Sequence, residues 1–260
     1  MATKRPLLLI HGTWCTSKCW GDFVPQLQQL GFDVYAPSLR YHELAFSEMQ
    51  NLVATVSLQD YIFDLEEILL SFDQPAIVVG HSLGGLLAQL LVAKHPEQCC
   101  GMILLGTAPM AGIYALYPTM IASFYQHFLR WGFWKKPLLP NKKTVQKYVM
   151  NRQSASDQQQ FFAKLVAESG RVYAEMALWF LDPGYTAQVN TQAVDLPVLV
   201  ISGTDDKVVV DKISQTTAQR YRQSTCVILQ GADHMYIMGE TLPKTMIHIR
   251  QWMIQNHILK

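Results

Sequence analysis

The chain has 260 residues, half of them hydrophobic and 16% charged, with a formal net charge of +1. Such a chain buries a large core without disulfide or metal staples, as one domain with insertions or two small domains. Its balance excludes disorder, collagen and coiled coil as the main state, and also a domain-wide basic field for nucleic acid.

No run approaches 18 consecutive apolar residues, so no membrane-spanning helix is predicted. Five cysteines (Cys15, Cys19, Cys99, Cys100, Cys226) are an odd set in a long chain, which speaks against a disulfide framework and for a reducing compartment. Met1–Arg5 is short and basic, and the apolar run behind it is too short for a signal peptide. The expected location is cytoplasmic.

Pro6–His11 is an apolar run ending in His-Gly. Trp20–Leu30 has helical spacing, with Gly31 as a stop, and Phe32–Ala36 is a short strand. Ser57 opens a helix, with Asp60 three residues on in a weak capping box and an apolar face from Leu58 to Leu69. Ala76–Val79 is a strand, Gly85–Lys94 a helix and Gly101–Leu105 a strand. Pro197–Ser202 and Thr225–Leu229 are further strands, and Leu242–Ile258 is a closing helix. Strands apolar throughout are buried on both faces, and alternation with helices means a parallel sheet. The fold class is therefore α/β, doubly wound, with ligands at the carboxyl ends of the strands.

Residues 109–190 break this rhythm. They hold 15 of the 28 aromatic residues, and nine Lys or Arg against four Asp or Glu. No strand stands out, and helices are predicted near Thr119–Trp131, Thr144–Met150, Asp157–Ala167 and Val172–Leu181. A loop of that length without structure is implausible, so the stretch is expected to be a helical cap inserted between two strands. The core is then 1–108 with 191–260.

Four short motifs follow predicted strands. Gly80-His81-Ser82-Leu83-Gly84 lies between strand and helix, the context of a nucleophile elbow. There the Ser82 hydroxyl stands at the top of the sheet, and the Leu83 N–H at a helix start faces a developing oxyanion. His11-Gly12-Thr13-Trp14 offers a second N–H, with Thr13 the expected donor and Trp14 the alternative. His11 is expected to bond its own loop. Gly203-Thr204-Asp205-Asp206 supplies an acid, left open between the two aspartates, while Asp211 is expected to start a helix. Gly231-Ala232-Asp233-His234-Met235 supplies a general base, His234. The chain order Ser, Asp, His is the one used by strand–turn–helix nucleophiles.

At these motifs the sequence resembles the α/β-hydrolase superfamily, over about 6–108 and 192–260. Gly-His-Ser-Leu-Gly-Gly at 80–85, Asp206-Lys207, Gly-Ala-Asp-His-Met at 231–235 and the His-Gly pair with Trp20 look like the small plant methylesterase and hydroxynitrile lyase branch. The resemblance implies Ser82, Asp206 and His234 as a catalytic triad, with Thr13 and Leu83 as oxyanion donors. Ser82 stands where dehalogenases and epoxide hydrolases of the superfamily carry Asp. Met235 stands where hydroxynitrile lyases carry Lys, and Gly12 is intact. No metal or nucleotide motif is present, so no cofactor or metal is expected.

The chemistry implied is acyl transfer: Ser82 attacks a carbonyl, His234 takes the proton, and water cleaves the acyl-enzyme. The expected substrate is a small-molecule carboxylic ester with small to medium apolar groups. Thioesters, lactones and monoacyl lipids are alternatives, as are a cofactor-free perhydrolase or lyase and a ligand-binding receptor on the same fold. Trp14, His81, Met110, Tyr114, Tyr117, Trp131 and Met235 are the expected pocket residues. Expected partners are the small-molecule substrate and no nucleic acid, with peripheral lipid contact through the basic aromatic cap as a further reading. The protein is expected to be a monomer or homodimer.

Overall fold

A computed structural model describes residues 4–259. The strands are β1 (Pro6–Ile10), β2 (Asp33–Tyr35), β3 (Ala76–His81), β4 (Cys99–Leu105), β5 (Pro137–Leu138), β6 (Glu168–Ser169), β7 (Val198–Gly203) and β8 (Ser224–Leu229). Six of them form one sheet in the order β2-β1-β3-β4-β7-β8. Every pairing in it is parallel. The chain steps from β1 outward to β2, then returns to the other side of β1 with β3. Ligand sites of open parallel sheets lie where the order reverses in this way, beyond the carboxyl ends of the strands.

Successive residues of each central strand enter opposite faces, as the period of two requires. Leu8, Ile10, Val78, Leu104 and Val200 pack with α3 (Leu58–Leu70), α4 (Leu83–Lys94) and α9 (Asp211–Ala218). Leu7, Leu9, Val79, Leu105 and Ile201 pack with α1 (Phe23–Gln29) and α10 (Thr241–Gln255). Each such side chain, fully withdrawn from water, contributes about 1.5–3 kcal/mol. The capping box at Ser57 and Asp60 is formed in both directions.

Between β4 and β7 runs an insertion built from α5 (Pro118–Phe128), α6 (Lys142–Thr144) with a π turn at Val145–Val149, α7 (Ala155–Phe162) and α8 (Gly170–Ala177). The helix expected over Thr144–Met150 is thus split. The one expected over Asp157–Ala167 starts and ends earlier, because Ser154 accepts from the Asp157 N–H and caps it there. The strands β5 and β6 were not legible: each has two residues, and they pair antiparallel through Leu138 and Glu168. The helix α2 (Phe46–Val53) also escaped the pattern. In the core, Gly21 with φ 44° separates a 3-10 turn at Ser17–Trp20 from α1, shortening the helix expected from Trp20.

The insertion is tied to the core by buried polar bonds. The Val166 N–H donates to the Trp14 carbonyl at 2.8 Å, and the Trp14 indole donates to the Leu138 carbonyl at 3.0 Å. Glu168 lies fully buried against Tyr61, whose hydroxyl donates to it at 2.6 Å, and His42, 3.5 Å away. Burial pushes the Glu168 carboxyl up, but His42 and the donors Tyr61 and Ser169 outweigh it and hold it below the usual glutamate value. Among the described residues no helix is long and apolar enough to cross a membrane.

Candidate active site

Ser82 follows β3 directly, with φ 54° and ψ −120°. A non-glycine residue in this region stores about 1–3 kcal/mol of strain and persists only where the surroundings dictate it. The surroundings are two glycines. A Cβ on Gly80 would lie 2.2 Å from the Gly84 carbonyl oxygen, and one on Gly84 would lie 1.9 Å from that of Ile10. Only hydrogen fits at either position, so the turn packs directly on the end of β1. The Ser82 N–H donates to the Leu105 carbonyl at 3.0 Å, and its own carbonyl accepts from Ala108 and Gly85. Leu83 opens α4, where the first amides have no intrahelical acceptor and face outward.

The structure places Asp206 and His234 side by side. His234 Nδ1 is 2.7 Å from Asp206 Oδ2, and both residues are buried. The Asp206 carboxylate also accepts from the Val208 and Val209 N–H groups, each at 2.8 Å, and from the Tyr236 hydroxyl at 2.6 Å. Burial, and then the Asp206 charge, push the Tyr236 phenol well above its ordinary range, so it remains a donor. Tyr236 was not singled out from sequence, because a tyrosine two residues past a histidine carries no signal beyond that of a core aromatic. Gly106 lets the group close up: a Cβ there would meet the Tyr236 ring at 2.5 Å and approach Asp206 Oδ2 at 3.2 Å.

The neighbouring aspartate has the opposite orientation. Asp205 points outward and pairs with Arg152 of the insertion. Asp233, just before His234, accepts from the Arg152 N–H at 2.8 Å and from the Gln153 amide at 3.0 Å. Thus each of the two motifs that carry Asp206 and His234 also grips the turn at residues 151–153.

The two other histidines of these motifs, His81 and His11, have their rings occupied. His81 Nε2 is 2.8 Å from the His234 carbonyl, and burial followed by the nearby His234 drives its pKa down to about 3. His11 Nε2 accepts from the Leu39 N–H at 2.9 Å, and burial and His42 bring it to about 3 as well. Both rings are therefore neutral at physiological pH.

Two cavities meet at Ser82. The larger, about 510 Å³, is walled by Thr13, Ser82 and Leu83 from the core and by apolar side chains of the insertion, among them Ile113, Met120, Phe124, Met176 and Trp179. The smaller, about 30 Å³, lies between Ser82 and His234, and Gly12, Thr13, Trp14, His81 and Met235 also line it. Thr13 borders both, and its hydroxyl lies 3.0 Å from that of Tyr173 in α8. Trp14, with φ 62°, turns its ring into the insertion and borders only the smaller space.

Of the expected pocket residues, Met110 and Tyr114 line the larger cavity and Trp14, His81 and Met235 the smaller one. Tyr117 and Trp131 require correction. Tyr117 caps the start of α5 and packs on the core cluster, outside both walls. Trp131 lies beyond the end of α5, is 86% exposed and touches Trp134 rather than the cavity. Among the described residues no group of three or more His, Cys, Asp or Glu is placed to hold a metal ion, and the cysteines are free thiols.

Residues 2–241 match the family described as Serine aminopeptidase, S33 (Hydrolase_4). A pyrethroid hydrolase of Sphingobium wenxiniae is 31% identical over 103 residues, 40% of this chain but only 36% of that protein. A pimeloyl-[acyl-carrier protein] methyl ester esterase of Yersinia enterocolitica is 22% identical over 244 residues, 88% of this chain and 85% of that one. Among solved structures, the methylesterase MES16 from Arabidopsis superimposes with a TM-score of 0.72 at 16% identity, covering 95% of this chain and 98% of its own. The parallel sheet, the strained serine turn after β3 and the span of the match agree: this chain belongs to the Serine aminopeptidase, S33 family of α/β hydrolases.

Proposed function

We propose that the protein is a serine carboxylic-ester hydrolase. Ser82 is the nucleophile, His234 the general base and Asp206 the acid that orients its ring and stabilises the imidazolium. The observation that carries this reading is the Asp206–His234 pair, held at 2.7 Å by a fully bonded carboxylate, beside a strained serine that shares a cavity with the imidazole. The N–H of Leu83, at the start of α4, and that of Thr13, which borders both cavities, are the oxyanion donors. Each donor is worth about 3–4 kcal/mol in the transition state. The insertion, residues 109–190, acts as a cap that excludes water from the reacting carbonyl.

The two cavities divide the substrate. His234 must hand its proton to the leaving oxygen, so the alcohol lies within hydrogen-bond reach of that ring. His234 borders only the smaller space of about 30 Å³, which has room for at least one water. A methyl or similarly small alkoxy group fits there, and the attacking water takes its place in the second half-reaction. The apolar cavity of about 510 Å³ receives the acyl chain. Relatives named as methyl ester esterase and methylesterase agree with this division.

The test is turnover of methyl esters from acetate to dodecanoate, with Ser82→Ala alongside. The reading predicts a rise in kcat/KM with chain length to a medium-chain optimum, and no turnover in the variant. Hydrolysis that survives Ser82→Ala, or none in the wild type, would overturn it.

A further inference from the structure

Apolar side chains in water are ordinary when scattered, but a contiguous patch of them marks a contact surface. The insertion carries such a patch. The helix α5 turns Met120 and Phe124 into the cavity wall, yet its adjoining side is also apolar: Ile121, Tyr125 and Leu129 follow one another at helical spacing, and all three are exposed. Trp131 continues the stripe, and Leu116, Phe180 and Leu181 stand exposed nearby in sequence or at the cavity rim. A helix with one apolar side in the protein and a second in solvent lacks a partner.

The patch is continuous with the cavity. Tyr114, Leu116, Ile121, Phe128 and Phe180 are exposed to solvent and also line the large cavity that reaches Ser82. They are its mouth. A protein or second copy seated on them would seal the entrance, whereas a layer of acyl chains would extend the cavity into an apolar phase. The segment that carries α5 and the residues after it is basic, while Asp182 follows Phe180 and Leu181 on the other rim. From Pro109 to Ser156 the chain has no Asp or Glu and seven Lys or Arg. Arg130, Lys135 and Lys136 are exposed beside Leu129 and Trp131. Exposed tryptophan and leucine flanked by lysines suit the boundary between head groups and acyl chains.

We infer that this rim of the insertion docks on an anionic lipid bilayer, with Leu129 and Trp131 in the acyl boundary, Arg130, Lys135 and Lys136 on the head groups, and the cavity mouth facing the membrane. Docking requires none of the Ser82 chemistry, so it is tested in Ser82→Ala protein and stands or falls apart from the ester-hydrolase reading.

The experiment is co-flotation with vesicles of phosphatidylcholine containing phosphatidylglycerol, against phosphatidylcholine alone, at low and high salt. Binding is expected on the anionic vesicles and at least about tenfold weaker on neutral ones or in high salt. Leu129→Asp with Trp131→Asp, both outside the cavity walls, should abolish flotation without shifting the thermal melt. Lys135→Glu with Lys136→Glu, a milder exposed change, should remove the preference for anionic vesicles. Wild-type protein that stays out of the lipid fraction would overturn the inference. So would flotation unaffected by both double variants. Sedimentation velocity gives the third outcome: a dimer dispersed by Leu129→Asp with Trp131→Asp would assign the patch to a second copy instead.

Discussion

The loops at the end of the sheet and the insertion above them both surround Ser82, but they are built on different principles. In the loops, backbone geometry dictates residue type. Gly80 and Gly84 are hydrogens where a Cβ would collide with a carbonyl, and Asp206 is satisfied by two amides of its own turn. In the insertion, side chains far apart in sequence make the wall: Phe124 of α5 stacks edge-on against Tyr173 of α8 at 5.5 Å, and Tyr173 reaches back to Thr13. The first kind of site tolerates almost no substitution, whereas the second is adjustable. On the proposed function, chemistry belongs to the loops and substrate size to the insertion.

The strongest way to break that division is at Ser82, the proposed nucleophile. Ser82→Ala should reduce kcat by about 10⁵-fold or more, and Asp206→Asn by about 10⁴-fold, with circular dichroism unchanged. An Asp206→Asn enzyme of near wild-type kcat would move the acid elsewhere. Next come changes in the wall. Met176→Trp should narrow the large cavity, so that kcat/KM falls about ten- to a hundredfold for dodecanoate and little for acetate. An equal fall for both would mean that the wall also serves the chemistry.

Tyr236→Phe sharpens the comparison within the loops. It removes one of the donors to the Asp206 carboxylate without touching the cavity, so kcat should fall about tenfold with KM unchanged. The smallest effect on rate is expected at the joint between the regions. Glu168→Gln should leave short-ester kcat within about twofold, yet lower stability by about 1–3 kcal/mol, because the buried bonds to Tyr61 and His42 weaken. The pH dependence has a definite sign. A carboxyl whose folded pKa lies below its unfolded value stabilises fully above the unfolded value, and the contribution vanishes as pH falls through the folded one. Wild type should thus lose more stability than Glu168→Gln between about pH 5 and the folded pKa, as read from melts.

The same contrast explains what was legible in the sequence. The central strands β1, β3, β4 and β7 were readable because they are apolar on both faces and bounded by Gly or Pro, and Ser82 and His234 stood out from the glycine-flanked turns that follow β3 and β8. The choice between Asp205 and Asp206 depended on resemblance, since residue type cannot say which of two adjacent carboxylates turns inward. In the insertion, amphipathic spacing gave helices but not which face met which. Trp131 and Tyr117 looked like pocket residues by their aromatic character, but one lies in solvent and the other caps α5. The residues that join the regions, Arg152 and Glu168, carry no local pattern, because their partners Asp233 and Tyr61 are 81 and 107 positions away.

The central claim is that Ser82 forms a covalent acyl intermediate whose chain lies under the insertion. Its most direct test is reaction with a long-chain alkyl fluorophosphonate, followed by peptide mapping by mass spectrometry. The account predicts one adduct per chain, on Ser82, formed faster with a dodecyl than with an ethyl reagent and slowed at least about tenfold by Met176→Trp. An adduct on any other residue, or none at all, would contradict it.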